Sequence, residues 1–146
     1  MVKIPLQIIE LEDDNFHLVV CSYFNDGTKV YWAVDTGASK TVFDKNLKKF
    51  YTSSKEKSEQ LHTAGISEKP METTIAFLNP LSIENLKLNN MRVALLDMSH
   101  INDLYSKVAK IKICGLLGGD FLMKYGAKID YRNKIMLLHK KKSRFK

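Results

Sequence analysis

The chain has 146 residues, 45% of them hydrophobic, with 23 Lys and Arg against 16 Asp and Glu and a formal charge of +7. That length suits one compact domain with a substantial core and leaves no room for a two-lobed enzyme. No run approaches the ~20 apolar residues of a membrane span, and Met1–Gln7 lacks the apolar stretch of a signal peptide, so a cytoplasmic protein with no membrane partner is expected.

Strand signals dominate the first third. Phe16–Phe24 is β-branched and aromatic, Lys29–Val34 repeats that character, and Asn25-Asp26-Gly27-Thr28 between them reads as the turn of a β-hairpin, its Asp-Gly pair suited to positive φ. Phe43, Leu47 and Phe50 then fall at helical spacing, which suggests a short helix or irregular turn, and the chain from Tyr51 to Glu59 is polar and loop-like. Thr73–Leu78 is extended, and Leu81–Leu88 alternates apolar and polar residues with one slip. Asn89-Asn90 turns into a further strand over Met91–Asp97. Ser99–Lys110 is expected to be helical, with Ser99 as N-cap and Ile101, Leu104, Tyr105 and Val108 on its inner face. Asp120–Tyr125, closed by Gly126, fits a second short helix, after which Ala127–Tyr131 and Ile135–Leu138 form a last pair of strands around Arg132-Asn133. The fold class expected is all-β, with one or two short helices.

The charge is unevenly placed. The segment from His139 to Lys146 holds five positive side chains and no acid, which leaves the rest of the chain at +2. Residues 1–139 are therefore read as the folded domain and 140–146 as a solvated, disordered tail, and nucleic acid is disfavoured as a partner because the tail has no aromatic besides Phe145. Cys21 and Cys114 form no C-x-x-C pair and are expected to behave as small buried hydrophobes. His17, His62, His100 and His139 are scattered, so no metal site is expected. Gly115-Leu116-Leu117-Gly118-Gly119 fits no phosphate-binding pattern, and Ser39 lacks the glycine-flanked elbow of a serine nucleophile. Trp32 reads as core or pocket wall.

One segment asks for a chemical explanation. The apolar strand ending at Val34 delivers Asp35 into a Gly-containing turn, where Thr36 can hydrogen-bond locally and Gly37 lets backbone approach the carboxylate. Asp, Thr and Gly are also common turn formers, and the flanks argue for more than a turn: Trp32-Ala33-Val34 before, Ala38-Ser39 and Thr41-Val42-Phe43 after.

The stretch Val34-Asp35-Thr36-Gly37-Ala38-Ser39-Lys40-Thr41-Val42-Phe43 resembles the active-site loop of the retropepsin-like aspartic proteases. Ile113-Cys114-Gly115-Leu116-Leu117-Gly118-Gly119-Asp120-Phe121-Leu122 resembles that family's second signature, in which Leu117, Gly118 and Asp120 stand at the matching positions. Tyr125–Tyr131 continues the likeness as a closing strand. Gly119 stands where retroviral members often carry Arg, and Ser39 where they commonly carry an acid, so the form is closer to the cellular and bacterial branches. The resemblance implies a small closed, barrel-like β fold, Asp35 as catalytic aspartate, Thr36 bracing paired loops, and a flap over the site, best matched by Ala64, Gly65 and Ile66. It also implies hydrolysis of an extended peptide without a cofactor. Such chemistry needs two carboxylates and the chain holds one Asp-Thr-Gly, so a homodimer is expected. The rival reading is a non-catalytic dimerising or peptide-binding module of the same fold.

Overall fold

The computed structural model describes residues 1–54, 59–61 and 71–140. It begins with two strands that the sequence reading did not assign, β1 (Val2–Pro5) and β2 (Gln7–Glu12). Val2, Ile4 and Leu6 alternate and are buried, but Pro5 interrupts the pattern, and the cover comes from the opposite end of the chain. The expected hairpin follows as β3 (Asn15–Phe24) and β4 (Lys29–Val34), in register from Val19↔Ala33 to Tyr23↔Lys29. Its turn closes through the Gly27 N–H to the Phe24 carbonyl at 2.9 Å. Of the Asp26-Gly27 pair only Gly27 takes a positive φ, +92°, while Asp26 accepts the Thr28 N–H.

Strand β5 (Val42–Asp44), one turn of 3-10 helix (Lys48–Phe50) and β6 (Tyr51–Ser53) come next. The expected helix shrinks to that single turn because Phe43 is held in a strand, fully buried beside the Trp32 ring at 5.7 Å. The expected polar loop likewise starts as a strand. Among the described strands β6 lies at the end of the sheet with β9 as its partner, and Thr52 and Ser53 are exposed and leave no apolar alternation to read. β7 (Glu59–Leu61) and β8 (Met71–Thr73) pair antiparallel, and β9 (Ile75–Leu78) carries β6.

The slip in the Leu81–Leu88 alternation is a tight turn. β10 (Leu81–Ile83) and β11 (Leu86–Leu88) join through Glu84-Asn85, with Glu84 at φ +51°, so that Leu81 and Ile83 bury the same face as Leu88 and Leu86. β12 (Arg92–Leu96) leads to α1 (Ser99–Ala109).

Helix α1 corrects two expectations. Ser99 is its first residue rather than its cap, and the Asp97 carboxylate accepts both the Ser99 N–H at 3.0 Å and its hydroxyl at 2.6 Å. Those bonds hold the Asp97 carboxyl down at about 2. The inner face is also rotated: Asn102 and Tyr105 are buried, while Leu104 and Val108 stay 48% and 50% exposed. The cause is Asn102, whose amide donates to the Ile113 carbonyl and accepts the Ile113 N–H, docking the helix by polar pairing that hydrophobic periodicity does not register.

Ile113 opens β13 (Ile113–Leu117), followed by α2 (Gly119–Lys124), with Gly126 at φ +55° where the glycine C-cap was expected, then β14 (Lys128–Asp130) and β15 (Ile135–Leu138). β15 pairs with both β14 and β1, which ties the chain ends together. The other main sheet has ten strands, running β11-β10-β3-β4-β13-β5-β12-β9-β6 with β2 on β3. The described residues are mainly β with two short α-helices. Its larger core gathers Trp32, Phe43, Phe24 and Phe50 with Ile4, Met136 and Leu138, and the smaller one sits under α1. Phe24 stacks on Phe50 at 4.4 Å, and each such ring taken from water contributes roughly 1.5–3 kcal/mol. Cys114 is buried as expected, whereas Cys21 is only half-buried. None of the described helices is long and apolar enough to cross a membrane. Of the basic tail, residues 141–146 lie outside the described residues.

Candidate active site

The two motifs separated in sequence meet because β13 threads between β4 and β5. It runs parallel to β4, with Leu116↔Ala33 and Leu117↔Val34, and antiparallel to β5, with Gly115↔Phe43 and Leu116↔Val42. The segment joining β4 to β5, residues 35–41, must therefore pass over the end of β13. Asp35 sits at the start of that loop, half-buried, with its N–H bonded to the Leu117 carbonyl at 3.0 Å.

The loop is held from within and from below. An Asp35 carboxylate oxygen accepts the Gly37 N–H at 2.9 Å, and the Asp35 carbonyl accepts the Ala38 N–H at 3.2 Å. Thr36 and Gly37 stand exposed at the tip, Ser39 is exposed on the descending side, and Ala38 is fully buried. The Ala38 carbonyl accepts the Gly119 N–H at 2.7 Å. Leu117 is buried beneath the loop, and Gly118 passes so close that a Cβ there would lie 2.6 Å from the Lys40 carbonyl oxygen. The loop thus presents one carboxylate beside an exposed, hydroxyl-bearing tip.

Thr41 is the residue that sequence reasoning left as a mere flank. Buried at 1% exposure, its hydroxyl accepts the Gly118 N–H at 3.1 Å and donates to an Asp120 carboxylate oxygen at 2.7 Å. The same Asp120 oxygen accepts the Phe121 N–H at the first turn of α2. One hydroxyl therefore joins both motifs. A threonine just ahead of the apolar Val42-Phe43 pair is the only signal that could have pointed to it.

Tyr105 of α1 is buried in the smaller core. Its ring lies edge-on to His17 at 5.9 Å, and its hydroxyl is pushed up to about 12, first by burial and then by the negative charge of Asp35. It stays neutral within electrostatic reach of that carboxylate. The expected flap residues Ala64, Gly65 and Ile66 lie outside the described residues. Among the described residues no cluster of His, Cys, Asp and Glu is disposed to hold a metal ion.

A family model described as aspartyl protease matches residues 20–121, a span that includes Asp35 and reaches Phe121 of the second motif. The chain belongs to the aspartyl protease family. The fold of this aspartyl protease family member is similar to that of a solved structure, a retropepsin-like aspartic protease from Rickettsia conorii. The two chains are 20% identical over 94% of each, with a TM-score of 0.50. Comparison with curated proteins returns no match.

The Thr41 bridge makes a stability prediction for this family member. Thr41→Val keeps the shape but removes the hydroxyl, leaving the buried Gly118 N–H without its acceptor, and should cost about 1–3 kcal/mol in a denaturant titration. Thr41→Ser should recover most of that loss. A Val variant as stable as wild type would show that the bridge contributes nothing.

Proposed function

We propose that residues 1–139 form an aspartic endopeptidase domain that acts as a homodimer, each protomer supplying one Asp35. The observation that carries this reading is the single Asp-Thr-Gly loop, anchored from below by the second motif yet exposed at Thr36 and Gly37, where a partner's loop can meet it. Hydrolysis of a peptide needs a base for water and an acid for the scissile carbonyl, and two facing aspartates that share a proton provide both. In this mechanism the ionised Asp35 takes a proton from water as the oxygen attacks the carbonyl carbon, while the protonated Asp35 donates to the carbonyl oxygen. The tetrahedral intermediate then collapses as the C–N bond breaks: the Asp35 that took the proton from water gives it to the leaving amine, and the other Asp35 takes a proton back from a diol hydroxyl.

Thr36 braces the paired loops, and Gly37, Ala38 and Ser39 support the active-site loop, Ala38 from its buried side. Leu117, Gly118 and Asp120 act indirectly, by fixing the loop's height and tilt. The peptide binds extended, pairing its backbone with strand edges. No metal or organic cofactor takes part.

The test couples activity to assembly. Cleavage of a diverse peptide library, read by mass spectrometry, should rise faster than linearly with protein concentration and follow the dimer fraction seen by analytical ultracentrifugation. Its pH profile should be bell-shaped, because the pair must hold one proton and not zero or two. Cleavage by a species that sediments as a monomer throughout would defeat the proposal.

A further inference from the structure

A surface pocket of about 430 Å³ opens at the far end of the candidate active-site loop. Lys40, Lys87, Arg92 and Lys124 line it, and among the described residues Asp120 is the one carboxylate that does. One oxygen of that carboxylate accepts the Thr41 hydroxyl and the Phe121 N–H. The pocket floor is apolar: Leu88, Phe121 and Tyr125 reach it from the core with only 4%, 4% and 7% exposure.

This concentration of charge stands out against a chain whose residues ahead of the basic tail total only +2. Arg92 and Lys124 hold interactions of their own, and four cations against one carboxylate still raise the local potential and favour an anionic ligand, while the apolar floor favours a ligand with a hydrophobic group. Its position adds a geometric limit. Lys40 is five residues beyond Asp35 in the loop, so the two α-carbons are at most roughly 18 Å apart, a span that about five or six residues of extended peptide can cover.

We propose that this pocket is an exosite for an acidic segment of the polypeptide substrate, seating an apolar side chain on the floor and flanking carboxylates among the cations. The word substrate rests on the protease reading above; the capture of an acidic peptide does not. The exosite selects polypeptides carrying acidic residues within about six positions of the bond to be cut.

The experiment separates the two. The full chain carrying Asp35→Asn is titrated with a fluorescein-labelled peptide in which Leu is flanked by Glu, and with its Gln counterpart, and binding is read by fluorescence anisotropy. The Glu peptide should bind roughly tenfold tighter at low salt, and the preference should fade towards 1 M salt as the rim charges are screened. Lys87→Glu, at an exposed position on β11, should weaken the Glu peptide about three- to tenfold and leave the Gln peptide unchanged. In the wild type, adding the Glu segment to a cleavable peptide should lower KM without changing kcat. Equal binding of the two peptides, or indifference to Lys87→Glu, overturns the exosite whether or not the protein cleaves anything. Full displacement of the Glu peptide by equimolar inorganic phosphate also overturns it, by marking a small-anion site. Acid-selective binding with no cleavage by wild type overturns only the protease reading.

Discussion

Asp35→Asn should lower peptide cleavage by about 10³–10⁴-fold while leaving the fold intact, because it removes the proton acceptor from both halves of the site at once. The replacement is nearly isosteric, and its amide oxygen can still accept the Gly37 N–H that the Asp35 carboxylate accepts at 2.9 Å. Thermal unfolding should therefore move by no more than a few degrees. A mixing experiment tests the shared site directly. Adding an equal amount of Asp35→Asn chain to wild type at exchange equilibrium should cut activity to about half, since only about a quarter of random dimers then carry two aspartates. Activity unchanged by the mixing would mean that each chain works alone. Unchanged cleavage by the variant itself would defeat the Asp35 mechanism, and silence from both proteins would favour a peptide-binding module.

Gly115→Ala should be the most damaging small substitution for stability. Gly115 lies in β13 where that strand passes between β4 and β5, and an added Cβ would sit 2.0 Å from the Val42 carbonyl oxygen and 2.9 Å from Trp32 Cζ3. The Val42 oxygen belongs to the backbone of the neighbouring strand, and Trp32 is wholly buried with its indole N–H bonded to the Ser22 hydroxyl at 2.8 Å. Neither can give way without parting β13 from β5. Overpacking of this kind costs about 1–3 kcal/mol, and more where backbone is struck, so a fall in Tm of roughly 6–12 °C or failure to fold is expected. Gly119→Ala is the control: its Cβ would meet nothing nearer than the Ala38 oxygen at 3.5 Å, an ordinary contact. A Gly115→Ala protein that melts within a degree or two of wild type would show that the threaded strand has room to spare.

Local signals were reliable where a segment's neighbours are near in sequence. The β3–β4 hairpin could be read because its turn chemistry and both strands lie within a few residues of each other. α2 and the last hairpin were legible for the same reason. The strands β1 and β6 were not, since β1 is buried by β15 and β6 is, among the described strands, a polar edge. In α1 an apolar stripe was read as the buried face, but Asn102 pairs with the Ile113 backbone and turns Leu104 and Val108 outward.

The sequence by itself determined the mainly β class and the family resemblance and singled out Asp35 as the candidate, because an aspartate delivered by an apolar strand into Thr36-Gly37 stands out from its adjacent residues alone. Only the tertiary structure decided which neighbours matter. Three glycines stand between Cys114 and Asp120, and nothing local ranks them; the threading of β13 makes Gly115 and Gly118 sterically necessary and leaves Gly119 free to change. The same crossing turns Thr41 into the hydroxyl that bonds Gly118 to Asp120, a contact 79 residues long in sequence. It also carries Lys40 into a pocket with Lys87, Arg92 and Lys124. Steric exclusion and hydrogen bonding act over a few ångströms, so residues far apart in the chain acquire these roles only once the sheet has brought them together.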